Sequence, residues 1–138
     1  MAAECIDTNV IVRFLVDSPL AGKKIWEDLI SFFTKIEEGS LRVFLPDIVL
    51  FQAFFVLTSH YRVSPSLAAD KLAGLISFRG MEMDRKDVMV RCLMEVKEGE
   101  KDIVDAYIFA FSKASGLKRV YSFDKGFARK GLALLAIK

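Results

Sequence analysis

The sequence predicts an α/β fold: one domain, residues 1–138, with a mainly parallel sheet covered by helices. Two observations predict it. Segments with the composition of strands alternate along the chain with segments of helical periodicity, and the strand segments are apolar on both faces, as in a sheet buried between helices. The composition is that of a globular protein, because 53% of the residues are apolar and twelve are Phe.

The first three elements are a strand and two helices. Residues 2–7, "AAECID", form a short apolar segment that predicts a buried strand ending at Asp7. The segment 9–16 follows directly with a helical apolar pattern. In residues 20–38 apolar side chains recur every three or four positions, which predicts a helix, and Gly39 is placed to end it.

The middle of the chain continues the alternation. Residues 41–45, "LRVFL", have the branched and aromatic content of a strand. Pro46 opens a predicted helix that runs to Tyr61, with an acid in its first turn. A second predicted helix covers 64–78 and starts with Ser64 before a proline, a common helix start.

The last part of the chain contains six more predicted elements, with Asp84 as the N-cap of the first helix and Gly116 ending the second. In order they are strand 80–83, helix 85–97, helix 102–115, strand 118–123, helix 125–130 and strand 132–138.

Compartment and redox state follow from a few features. Cys5 and Cys92 lie in separate apolar segments without metal-ligand spacing, which predicts two buried, reduced thiols. The start of the chain lacks the pattern of a signal peptide, and the apolar stretch 48–57 is too short to span a bilayer and is interrupted by Gln52. We expect a cytoplasmic protein that does not enter membranes.

Four acids are the strongest candidates for a functional site. Asp7 and Asp124 each follow a predicted strand, and Asp102 and Asp105 begin a predicted helix. The carboxyl ends of parallel strands and the starts of the helices that return from them share one edge of the sheet, where α/β proteins bind ligands. Crowded carboxylates need a counter-ion, and Mg²⁺ or Mn²⁺ suits an all-oxygen ligand set. Helix capping is the alternative role for Asp7, Asp102 and Asp124.

Several other chemistries are disfavoured. His60 is the only histidine and is predicted to lie on the surface, which argues against Ser-His or Cys-His catalysis. The chain has no Gly-rich phosphate loop. A phosphatase that uses a strand-end aspartate is disfavoured because no second Asp closely follows Asp7. The basic residues near the acids are candidates either for phosphate contacts or for a solvated surface; they are Arg13, Lys101, Lys125, Arg129 and Lys130.

Three segments resemble the signature of PIN-domain proteins, in order and over nearly the whole chain. They are "CIDTNVIVRFL", "LPDIVLFQAFFVL" and "DIVDAYIFAFSKASGLKRVYSFDKGFAR". The nearest subgroup is the VapC-like toxins of prokaryotic toxin–antitoxin pairs. The resemblance implies a three-layer α/β/α sandwich and a ribonuclease that depends on Mg²⁺ or Mn²⁺ and hydrolyses RNA phosphodiesters with metal-activated water.

The resemblance also assigns residue roles. Asp7, Asp105 and Asp124 take the places of the family's catalytic, metal-binding carboxylates, and Asp102 falls where many members have an additional acid. Supporting roles fall to Thr8, Asn9 and Ser122. Gln52 departs from the pattern, because the middle motif of the family normally carries a Glu, and a neutral amide is a poorer metal ligand.

The implied partners are RNA, a second copy of the chain and a VapB-like antitoxin. The Phe-rich helix 48–61 is the expected support of the homodimer. Because of Gln52, a second hypothesis stays open: a catalytically weak or inactive PIN-like module that binds RNA or protein without turnover.

Overall fold

The computed structural model describes residues 3–16 and 22–138, and its described elements confirm the predicted alternation. The strands are β1 Glu4–Cys5, β2 Val43–Phe44, β3 Met81–Glu82, β4 Arg119–Tyr121 and β5 Ala133–Leu135. The helices are α1 Thr8–Leu15, α2 Lys23–Glu38, α3 Asp47–Ser59, α4 Pro65–Ile76, α5 Lys86–Lys97, α6 Ile103–Ala114 and α7 Gly126–Arg129. The strands are shorter than predicted, and the predicted ends at residues 2 and 20 lie outside the described residues.

The strands pair only in parallel, as predicted, but the described strands form two sheets. One sheet has the order β1-β2-β3, with Cys5 opposite Phe44 and Phe44 opposite Glu82. The other pairs β4 with β5. Helices pack around these strands, which is the layered α/β/α architecture expected of a PIN-like fold.

Two apolar clusters hold the elements in place. The larger one joins β2, β3 and Ile6, which follows β1, to six helices. It includes fully buried side chains from four of those helices, namely Ile11, Ile36, Leu50 and Leu72. The smaller one is formed by Phe109, Phe127 and Leu132. The second cluster fixes α7 and the turn that precedes it against α6, so it determines where the carboxylates of these segments meet.

The helix caps follow the sequence at Ser64 and Asp102 but not at Asp84. The Ser64 side chain accepts a hydrogen bond from the Leu67 N–H at 3.2 Å, and Asp102 caps α6. The predicted Asp84 cap is wrong: α5 begins one residue later, its N-cap is Arg85, and no side chain caps it. An acid before an apolar periodic segment identifies the start of a helix only to within a residue or two.

The cysteines differ from each other. Cys92 is buried and free, as predicted, and burial raises the pKa of its thiol to about 12. Cys5 is free but exposed, so its predicted burial is wrong. The reason is topological, because β1 lies at the edge of its sheet and is open on one side. Of the helices in the described parts of the chain, none combines the length and the apolar character that crossing a bilayer requires.

Candidate active site

The start of α6 carries two of the predicted site acids. The Asp102 carboxylate accepts hydrogen bonds from the backbone N–H groups of Val104, at 2.9 Å, and Asp105, at 3.1 Å. This is N-capping, the alternative role considered for Asp102, and it satisfies two N–H groups that have no partner within the helix. Capping leaves Asp105, the third residue of α6, as the acid whose side chain is available at this helix start.

Asp124 is fixed by the turn between β4 and α7. Its carboxylate accepts a hydrogen bond from the Gly126 N–H at 2.8 Å, and its own N–H donates to the Ser122 hydroxyl at 2.9 Å. Ser122, predicted as a supporting residue, therefore orders the backbone at Asp124. A Cβ at position 126 would lie 3.1 Å from the Asp124 carboxylate, so a glycine there lets the chain turn closely around the acid.

Asp105 and Asp124 line the same small cavity. Desolvation, followed by the charges of Asp102, Asp124 and Glu100, raises the pKa of Asp105 to about 6. Each cause disfavours the ionised form, since burial removes water and like charges repel. The structure thus brings together three of the four predicted acids and adds Glu100, which the sequence analysis did not single out.

Lys130 closes the acidic cluster on one side. Its ammonium lies 2.8 Å from a Glu100 carboxylate oxygen and 3.4 Å from one of Glu95. Burial raises the pKa of Glu100, but the hydrogen bonds from Lys130 and from the Asp102 N–H outweigh burial and lower it overall. Lys130 appeared in the sequence only as one of several basic residues near the acids, and its partners lie far from it along the chain.

A cavity of about 20 Å³ is lined by Glu100, Asp105, Asp124, Gly126, Phe127 and Lys130. That volume holds roughly one water-sized particle. Asp105 and Asp124 offer only carboxylate oxygens, the ligands that Mg²⁺ and Mn²⁺ prefer, and Mg²⁺ commonly binds through one or two carboxylates while it retains waters. The chemistry of this pair therefore fits a hard divalent cation as a two-carboxylate site.

The ligand set is not larger than this pair in the present arrangement. Across residues 3–16 and 22–138, no group of three or more His, Cys, Asp or Glu side chains is arranged to hold a metal ion. Asp7 lines a different pocket, of about 330 Å³, together with Thr8, Asn9, Arg13, Gln52 and others. Its assignment as a third metal ligand, together with Asp102 as a fourth, stays a prediction.

Thr8 connects Asp7 to Gln52. The Thr8 N–H donates to the Asp7 carboxylate at 2.7 Å, which makes Asp7 the N-cap of α1. The Thr8 hydroxyl donates to the Gln52 amide oxygen at 2.6 Å. The predicted support of the Asp7 segment by Thr8 thus has a geometric counterpart, and Gln52 lies in the same pocket as Asp7. Asn9 lines this pocket as well.

Four of the five basic candidates for phosphate contacts are exposed, namely Arg13, Lys101, Lys125 and Arg129. The fifth, Lys130, is half-buried and paired with Glu100. Arg13 lines the pocket of Asp7, and so does His60, which is exposed as predicted.

The described strands pair in parallel, and one acid beyond a strand end shares a cavity with one acid at a helix start. The family model of the PIN domain matches residues 5–132, and the chain belongs to the PIN domain family. PIN domains are generally nucleases and typically use divalent metals. No curated protein and no solved structure gave a significant match. The predicted family is confirmed, and the VapC-like subgroup stays a prediction.

Proposed function

We propose that this PIN domain is a divalent-metal-dependent endoribonuclease. The observation that carries the proposal is that Asp105 and Asp124 line the same cavity of about 20 Å³. Two neighbouring carboxyl groups repel each other once both are ionised, and a bound cation offsets that repulsion. A cation held there would stabilise the negative charge that develops in the transition state of phosphodiester hydrolysis.

In this proposal Asp105 and Asp124 hold the cation, which is Mg²⁺ or Mn²⁺. When bound, such a cation neutralises charge on the phosphate and lowers the pKa of a water nucleophile. Asp102 keeps Asp105 in place by capping its helix, and Ser122 keeps Asp124 in place through the backbone. Asp7 is the proposed third acid. Exposed basic side chains offset repulsion between the acids and the RNA backbone; they are those of Arg13, Lys101, Lys125 and Arg129.

The direct test is cleavage of a labelled single-stranded RNA by purified protein with Mn²⁺, and again with an excess of chelator. We expect cleavage only with metal, and a loss of about 100-fold or more in kcat/KM for Asp105→Asn. Asp87→Asn is the matched control, because Asp87 is an exposed acid at the start of α5. Cleavage that persists in the chelator, or that Asp105→Asn leaves intact, would refute the proposal.

A second candidate is favoured by a specific observation. Gln52 replaces the usual acid of the middle motif, and it lies with Asp7 in a pocket distinct from the cavity of the acid pair. Both features suit a PIN-like module that binds RNA or protein but cuts weakly or not at all. Metal-independent RNA binding combined with no cleavage at millimolar Mn²⁺ would favour this candidate over the ribonuclease.

We further propose that the chain is the toxin of a VapBC-type pair and that it forms a homodimer. The apolar groove on α3, lined by Ile48, Phe51, Phe55 and Val56 among others, supports the dimer. Ile48 is 76% exposed and Phe55 is 47% exposed, which is costly for apolar side chains unless a partner covers them.

Two experiments test these partner proposals. Analytical sedimentation tests the homodimer. We expect the wild type to sediment as a dimer and Phe55→Glu as a monomer. A VapB-like reading frame beside the gene tests the antitoxin, since its product should bind the chain and relieve growth arrest in a bacterial host. Monomeric wild-type protein would refute the dimer, and a neighbouring product that does not bind would refute the pairing.

A further inference from the structure

The pocket that contains Asp7 is built by facing stripes of two helices. On α1 it is lined by Thr8, Asn9, Val12 and Arg13, and on α3 and its C-cap by Gln52, Val56 and His60. Residues four positions apart lie above one another on a helix, so each stripe forms a continuous wall. The pocket measures about 330 Å³, near the lower limit of small-ligand sites.

The pocket is apolar at its bottom and polar along its rim. Val12 is buried and Val56 is half-buried, while Asn9, Arg13 and Gln52 are exposed. An apolar surface with a few polar groups around it is the usual composition of a site for a small organic ligand. A flat heterocycle would cover the valines and leave its edge to the polar rim.

Gln52 is oriented within this rim. Its amide oxygen accepts the hydrogen bond from the Thr8 hydroxyl at 2.6 Å, and Thr8 is buried. With the oxygen engaged on the protein side, the amide NH₂ is the end that a ligand can use. That group donates hydrogen bonds and therefore selects a ligand that carries an acceptor such as a carbonyl oxygen.

Aromatic and cationic groups complete the rim. The rings of His60 and Tyr61 meet edge to face with their centroids 4.7 Å apart, and Tyr61 is 44% exposed. Exposed aromatic rings are the surfaces on which bases of single-stranded RNA stack. Arg13 supplies a positive charge for an attached phosphate.

We propose that this pocket binds one base of single-stranded RNA, and that Gln52 selects bases that carry a carbonyl oxygen over adenine. The inference rests on the proposed ribonuclease function and names a substrate subsite for it. The base stacks at the His60–Tyr61 rim, the Gln52 amide donates to its carbonyl oxygen, and Arg13 meets the phosphate. A glutamine suits this role better than the family's usual glutamate, since its amide donates to a carbonyl oxygen and a carboxylate has no hydrogen to donate.

Binding without metal is the test, because it does not depend on cleavage. Fluorescence anisotropy in EDTA compares the RNA hexamers rU6, rC6 and rA6. We expect the wild type to bind rU6 and rC6 about fivefold more tightly than rA6, as one additional hydrogen bond provides. Gln52→Met should reduce that preference to less than about twofold, and Tyr61→Leu should weaken the binding of all three by about tenfold.

Tyr121→Leu is the matched control, because Tyr121 is 69% exposed on β4 and does not line the pocket; we expect unchanged binding. A shift of the Gln52 side-chain amide signals on adding rU6 to wild-type protein gives a second readout that needs no variant. Equal binding of the three hexamers by the wild type, or wild-type selectivity in Gln52→Met, would overturn the subsite.

The two proposals fail in distinguishable ways. Selective binding that depends on Gln52 and Tyr61, combined with no cleavage in Mn²⁺, keeps the subsite and refutes the ribonuclease. The opposite result is metal-dependent cleavage whose base preference is the same in the wild type, Gln52→Met and Tyr61→Leu. It keeps the ribonuclease and refutes the subsite.

Discussion

Asp105, in the first turn of α6, lines the same small cavity as Asp124, in the turn after β4. Neither acid is paired with a basic side chain in the described residues, whereas Glu100 beside them is paired with Lys130. The shared cavity therefore concentrates negative charge at one point of a chain whose formal net charge is only +2. That local excess of charge is the basis for the proposed cation site.

The raised pKa of Asp105 predicts that the stability of the metal-free protein depends on pH. Its pKa is raised from 3.8 to about 6, so between about pH 4 and pH 6 the folded chain holds a proton that the unfolded chain loses. Its contribution to the free energy of unfolding is full below about pH 4 and is lost as the pH rises through about 6. We expect Asp105→Asn to gain stability relative to wild type between pH 5 and pH 8, measured by urea unfolding in EDTA.

The control for this experiment is Asp87→Asn. The backbone N–H of Val88 and then the Arg85 side chain lower the pKa of Asp87. An acid with a lowered pKa contributes a constant amount to the free energy of unfolding at any pH well above its ordinary pKa. The stability difference between this variant and wild type should therefore be the same at pH 5 and pH 8. A difference between Asp105→Asn and wild type that does not change with pH would contradict the electrostatic account.

The sequence predicted the fold better than the site. Element type follows from local periodicity, which is why even the short β3 and α7 were found. The site depends on which segments meet in space. Glu100 and Lys130 are paired across the fold, and no local pattern indicates such a pair. The exposure of Cys5 was missed for the same reason, because an apolar strand does not reveal whether it lies at the edge of a sheet.

The hydrogen bond between Thr8 and Gln52 should contribute measurably to stability. Thr8 is buried, so Gln52→Met leaves its hydroxyl without this acceptor, and we expect a loss of about 1 kcal/mol. Gln52→Glu keeps an oxygen acceptor at that place and should lose less. A double-mutant cycle with Thr8→Val, measured by urea unfolding, isolates the pair, and a coupling energy near zero would show that the bond does not stabilise the fold.

Lys130 should stabilise the fold through its two carboxylate partners. The side chains of Lys130, Glu95 and Glu100 are each less than one quarter exposed, and Lys130→Met would leave both acids uncompensated. We expect a loss of about 1–2 kcal/mol at pH 7, with partial recovery on adding Glu100→Gln. Lys130→Arg, which retains the charge, is the control, and a Lys130→Met variant as stable as wild type would contradict the assigned pairing.

Gly80 is required by a close backbone approach. A Cβ at this position would lie 1.9 Å from the Leu41 carbonyl oxygen and 2.9 Å from that of Ile36, so the backbone must shift to accept it. We expect Gly80→Ala to cost about 3 kcal/mol or more. Gly74→Ala is the matched control inside α4, where a Cβ meets no atom within 4 Å, and it should stabilise the protein by about 0.5–1 kcal/mol. Equal effects of the two changes on urea unfolding would contradict this packing.

Paramagnetic broadening by Mn²⁺ tests most directly where the chain holds the cation. In ¹H–¹⁵N spectra recorded at about pH 7.5 with substoichiometric Mn²⁺, the backbone signals of Asp105 and Gly126 should broaden first, because both N–H groups adjoin the acid pair. Asp105→Asn should weaken that effect. Broadening confined to Thr8 and Asn9, or no selective broadening at all, would contradict a cation held by Asp105 and Asp124.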